Sequence, residues 1–231
     1  MDLRAATLSS LLLALLSSCG EFPRDAEETL RKVEAGRPLR VGWSSAAPWV
    51  HGNGAGQPAG IEADIVRSFA ASRGVRVEWV EAGEAQIVEG LNGNSLDVGI
   101  AGFTDQAPHG GLIGQTQPYL KITVVIGAVQ DAGTPGSWEG VRVSYDPARP
   151  DFAALLLAEK AIPTAGPAPY KSVYEPELTP LGLRAAGKPL RTERRTIATA
   201  PSENALTLAL DRFLHANKAG IRNRLVQEAR Q

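Results

Sequence analysis

Ala101, Gly102 and Thr104 sit where a short apolar run opens into a polar loop, and this junction can do small-molecule chemistry. Residues 97–119 read DVGIAGFTDQAPHGGLIGQTQPY. Val98 and Ile100 have the character of a short buried strand, and residues 103–114 have the Gly, Pro and polar character of a loop. A strand end presents free N–H and C=O groups, and a glycine there lets a ligand approach the backbone. In an open α/β sheet this is a usual position for a bound small molecule. Catalytic patterns do not compete with that reading. His51, His109 and His215 lack metal-ligand spacing, and the chain contains neither a Gly-x-Ser-x-Gly elbow nor a Gly-Lys-Ser/Thr phosphate loop. Binding without a cofactor or metal is the expectation, not catalysis.

The chain has 231 residues, 43% of them hydrophobic and 21% charged, enough for one or two modest domains. A formal net charge of −1, with both signs mixed, gives no reason to expect nucleic acid as a partner. The start, MDLRAATLSSLLLALLSSCG, has an apolar stretch too short for a membrane span and fits an export signal. Leu16-Ser17-Ser18-Cys19 resembles the bacterial lipobox, which implies removal of residues 1–18 and a lipid on Cys19, outside the cytoplasm. The alternative is a plain secretory signal with a chance cysteine. Cys19 is the only cysteine, so no internal disulfide can form.

The elements that must position the junction follow from periodicity. Asp25 to Glu28 reads as a helix N-cap with its Glu three residues on, and Gly36 ends that short helix. LRVGW at residues 39–43 is a strand. Residues 44–58 form a turn-rich loop, and Ile61, Ile65 and Phe69 mark one face of a helix over residues 60–74. Strands at residues 75–79 and 98–101 flank a helix at residues 86–91, an alternation that argues for a parallel α/β sheet. Further strands are expected at residues 122–129, 141–145, 172–174 and 196–200, with helices at residues 152–160, 204–216 and 221–229. The polar segment before residue 196 shows no element.

LRVGW, PWV…GQPAGIEADIV, VRVEWVEA and LNGNSLDVGIAGFT…TQPY, in this order, resemble the bacterial extracellular solute-binding proteins of the polar amino-acid type, the receptors of ABC importers. The resemblance runs from about residue 39 to 127 and returns at residues 196–214. It implies a type II periplasmic-binding fold of two α/β lobes joined by two crossing segments. Lobe one would hold residues 39–121 and 197–231, lobe two residues 122–196, with residues 19–38 a tether and short helix. A small polar solute would bind between the lobes, and the closed form would meet the permease subunits of an ABC transporter.

The resemblance also implies site residues. Ser44 and Trp49 stand where the family has a polar contact and a stacking aromatic, and Ala101, Gly102 and Thr104 form the strand-end contact. Five residues after the threonine the family carries a carboxylate-binding arginine; here that residue is His109. It either contacts a different ligand, neutral or cationic, or is a solvated loop histidine. Tyr145 stands at the second-lobe turn, where Pro147 removes a donor, and Glu175 matches the acid that meets an amine. Glu62 and Asp64 resemble acidic family positions and read as favourable charge at a helix N-terminus. Two other readings remain open: a sensory or structural lipoprotein that binds a partner protein, and a cyclic-acid dehydratase using Glu175 and His109.

Overall fold

The computed structural model describes residues 25–54, 56–106, 109 and 111–228. The expected signal segment, Cys19, and residues 107 and 108 of the loop lie outside the described residues. The first half builds α1 (Thr29–Glu34), β1 (Leu39–Trp43), the hairpin β2 (His51–Gly52) and β3 (Pro58–Ala59), α2 (Ile61–Ser72), β4 (Val77–Glu81), α3 (Glu84–Asn92), β5 (Val98–Ile100) and β6 (Gly114–Gln115). Next come β7 (Leu120–Ala128), β8 (Arg142–Ser144), α4 (Pro150–Ala158), β9 (Ile162–Thr164), β10 (Tyr170–Tyr174), β11 (Arg184–Arg195), β12 (Ala198–Thr199), α5 (Asn204–Ala216) and α6 (Lys218–Glu228).

These elements make two five-stranded sheets, ordered β4-β1-β5-β12-β6 and β11-β7-β10-β8-β9. In the first, β1 runs parallel to β4 and β5, while β12 is antiparallel to β5 and β6. Leu39, Val41 and Trp43 are buried on β1, and Ile61, Ile65, Val66 and Phe69 of α2 pack into the same core. The chain is therefore α/β, with two separate sheets as the two-lobe expectation requires.

The chain passes from the first sheet to the second between β6 and β7, and returns between β11 and β12. The two crossings are tied to each other. Thr116 N–H donates to the Ile197 carbonyl (3.0 Å), Tyr119 N–H to the Arg195 carbonyl (2.9 Å), and Ile197 N–H to Thr116 Oγ1 (2.9 Å). Such pairing satisfies the backbone where the chain leaves one sheet for the other.

Two sequence expectations are corrected. The polar segment before residue 196 contains β11, an edge strand of twelve residues. Gly187, Pro189 and a charge-rich sequence hide it. Its register with β7 jumps from Ala186↔Ile126 to Arg191↔Val124, so the glycine and proline fall in a bulge at a sheet edge, where both are tolerated. The N-cap at Asp25 is also different. Glu28 occupies the cap position with φ 51°, and the acceptor for the Glu27 and Thr29 N–H groups is the buried carboxylate of Glu203 (2.6 and 2.9 Å). Asp25 Oδ1 in turn accepts Ala205 N–H at the start of α5 (3.1 Å). The two segments cap each other.

Candidate functional site

β5 ends at Ile100, and the chain turns at Gly102 with φ 67°, a conformation that favours glycine. The Gly102 N–H donates to Glu62 Oε2 (3.0 Å), and its carbonyl accepts from the guanidinium of Arg195. A Cβ at this position would lie 3.0 Å from both Arg195 Nη1 and Trp49 Cδ1. The strand end is therefore a close approach, but the group approaching it is the protein's own arginine.

Arg195 is 7% exposed. Its guanidinium carbon lies 4.5 Å from the centre of the Trp49 ring and 6.0 Å from that of Tyr174. It donates to Tyr174 Oη (2.8 Å) and pairs with Glu193. Trp49 Nε1 donates to the same Tyr174 oxygen (3.3 Å), with the rings edge-on at 5.4 Å. Tyr174 meets Phe152 at 5.2 Å and lies under Arg149, which makes a two-pronged pair with Glu177 (both 2.7 Å). Burial, the largest cause, pushes the Tyr174 phenol up to about 12.

Beneath this cluster lies Glu62, fully buried, which accepts from Gly102 N–H and from Tyr119 Oη (2.8 Å). Desolvation pushes its carboxyl up to about 7, against the opposing pull of those two hydrogen bonds and the Arg195 charge. Glu62 is thus more than favourable charge at a helix N-terminus: it holds the strand end in place. Asp64 does stay at the surface, paired with Arg67 (3.2 Å) and Arg224 (3.0 Å).

Above the cluster is an open cleft of about 290 Å³ lined by Thr104, Gln106, Asp151, Arg191, Glu193 and Arg195. Thr104 and Gln106 come from the loop after β5, the others from α4 and β11. Strand periodicity places Arg191, Glu193 and Arg195 on one face of β11. Arg191 pairs with both Asp151 and Glu193. The lining carries two positive and two negative side chains, paired with one another as Arg191–Asp151, Arg191–Glu193 and Arg195–Glu193.

Of the residues singled out from sequence, Thr104 lines the cleft, Trp49 and Gly102 meet Arg195 beneath it, and Ala101 is buried with Ile87 and Phe103 in the first-sheet core. Ser44 is half-buried just beyond β1, its N–H donating to the Ile100 carbonyl (3.1 Å). The other three lie apart from the cleft lining. His109 packs edge-on to Phe103 at 5.3 Å with Nε2 3.3 Å from Glu84 Oε1. Tyr145 is half-buried between α4 and the β8 core, its N–H donating to the Thr164 carbonyl (3.0 Å). Glu175 is exposed on the turn after β10, and Glu177, two residues on, is the buried acid. Sequence reasoning missed Arg191, Glu193 and Arg195 because it missed the strand. The alternating charges of RTERR were the available signal.

Among solved structures, an ancestral cationic amino acid solute-binding protein superposes with a TM-score of 0.68 at 19% identity, over 88% of this chain and all of that one. The L-cystine solute receptor of Neisseria gonorrhoeae, in an unliganded open conformation, gives 0.63 at 16% identity, over 86% of this chain and 94% of that one. A mutant of ArgBP from T. maritima gives 0.57 at 18% identity, over 86% and 97%. No curated protein matches the chain in sequence. At these identities the likeness is one of fold. The family model for bacterial extracellular solute-binding proteins, family 3, matches residues 39–227. With the two-lobed fold, that match places the chain among the family 3 bacterial extracellular solute-binding proteins.

Proposed function

We propose that this protein captures a small polar solute, amino-acid-like and carrying both charges, between its two lobes and delivers it to an ABC transporter. The observation that supports this reading is the cleft lined by Thr104 and Gln106 on one side and by Asp151, Arg191, Glu193 and Arg195 on the other. Arg191, partly exposed in the lining, offers the carboxylate partner that the loop, with His109, lacks, and planar guanidinium suits that role. Asp151 and Glu193 face an ammonium group. Contacts from both sides favour the closed state, so the solute shifts the lobe equilibrium about the crossings near Tyr119 and Arg195. Exposure of that closed form to permease subunits completes the transport step, and a lipid on Cys19 keeps the receptor at the membrane. Among the described residues no helix is long and apolar enough to cross a membrane.

A screen of amino acids and related solutes by thermal unfolding tests the reading. A true solute at a hundred times its dissociation constant adds about 2.7 kcal/mol. Failure of every zwitterionic solute to shift the unfolding temperature would overturn it.

A second reading, a lipoprotein that binds a partner protein, draws support from the way Trp49, Tyr174 and Arg195 fill the space between the two sheets with buried side chains. Co-purification of a defined partner, with no solute effect, would favour it. The dehydratase alternative gains nothing from the geometry. His109 is held by Phe103 and Glu84, while Glu175 is exposed on the other lobe.

A further inference from the structure

We infer that Trp49, Gly102, Tyr174 and Glu193 form a guanidinium cage, occupied by the protein's own Arg195 as a built-in ligand that favours the closed lobes before solute binds. Four features around one side chain carry this. Trp49 gives a flat aromatic face at 4.5 Å, the best kind of surface for a delocalised cation. The Gly102 carbonyl, the Tyr174 hydroxyl and the Glu193 carboxylate supply three acceptors around the guanidinium edge. The cage is drawn from both lobes: Trp49 and Gly102 flank the first sheet, while Tyr174 and Glu193 stand on β10 and β11 of the second. Finally, a glycine at 102 leaves the space that a Cβ would take from Arg195 Nη1.

A surface arginine that folded inward by chance would not meet an aromatic face, a carbonyl, a hydroxyl and a carboxylate together. The arrangement is that of a binding site for a planar cation, and its occupant arrives at the end of β11, beside the return crossing. The cage is therefore an internal clasp, and the solute of the outer cleft sits on top of it. This inference does not depend on the identity of that solute.

The experiment uses the full mature chain and its Arg195→Ala variant, with methylguanidinium as the probe. About 10 mM methylguanidinium should raise the melting temperature of the variant by roughly 2–4 °C, saturably, and leave the parent protein unmoved. Methylammonium, with the same charge but no planar fork, should do nothing. Adding Glu193→Gln to Arg195→Ala should abolish the rescue. In scattering, Arg195→Ala should have a larger radius of gyration than the parent and contract with the probe.

An equal response of parent and variant, or rescue by methylammonium as well, would overturn the cage. Should Arg195→Ala fail to fold, nuclear magnetic resonance on the parent protein decides. A clasped Arg195 gives separately resolved, slowly exchanging Nη–H signals, and averaged, fast-exchanging ones would sink the inference. The solute screen can fail while this rescue succeeds, so the two proposals are tested apart.

Discussion

Trp49 Nε1 and Tyr174 Oη lie 3.3 Å apart, a hydrogen bond that joins the loop after β1 to the end of β10 across the line between the lobes. The pair is 1% and 2% exposed, and it continues one apolar core from α2 of the first lobe to Phe152 of the second. Lobe contact in this protein is direct, ring against ring.

Removal of that ring is expected to be costly. Trp49→Ala should destabilise the protein by about 3–5 kcal/mol, since it opens a cavity and strips the Arg195 charge of its aromatic face. Trp49→Phe keeps the face and loses mainly the hydrogen bond, at about 1 kcal/mol. Urea unfolding of both variants measures the difference, and equal losses would show that the ring makes no special contact.

Glu62 should make stability depend on pH near neutrality. Its ordinary value is 4.5, and burial pushes the folded-state carboxyl up to about 7. The folded chain holds this proton where the unfolded chain has released it. The contribution is full below pH 4.5 and is lost as pH rises through 7, by about 3 kcal/mol. Glu62→Gln should flatten this part of the profile, read by denaturant titrations at pH 5 and pH 8.

Asp97 should behave in the opposite sense. It is buried, which pushes its carboxyl up, but hydrogen bonds from the Arg40 and Arg37 side chains and from Arg40 N–H (2.8 Å) more than offset this and hold it low. Stability from Asp97 is present above the usual carboxylate range and lost as pH falls through the depressed value. Asp97→Ala leaves two arginines facing each other and should cost about 3–5 kcal/mol by thermal or urea unfolding.

The balance of charge in the cleft should set solute preference. Arg191→Ala releases Asp151 and Glu193, leaving two acids against Arg195 alone. Affinity for a solute bearing a carboxylate should fall about tenfold or more, while cationic solutes should gain. Titration calorimetry with matched pairs of solutes checks this. A uniform loss for all of them would point to a folding defect instead.

The local periodicities of this chain were enough to determine much of the first lobe. Alternation in LRVGW, the four-residue spacing of Ile61, Ile65 and Phe69, and the run at Val98 each name an element that burial then demands. The strand end at Ala101 and Gly102 was legible for the same reason, since an apolar run that meets a glycine and a polar loop ends its strand there. What the tertiary structure decided is which groups meet that backbone. Arg191, Glu193 and Arg195 are far from Gly102 in sequence, and their strand is masked by a bulge at a sheet edge. The resemblance points to Glu175 as an acid for an amine, and only the tertiary structure shows that Glu177, two residues on, is the buried acid, aimed by the turn after β10 at Arg149 and the Tyr174 N–H. Periodicity records which face a residue shows to its own core, while partners across a cleft are fixed only when two sheets close on each other.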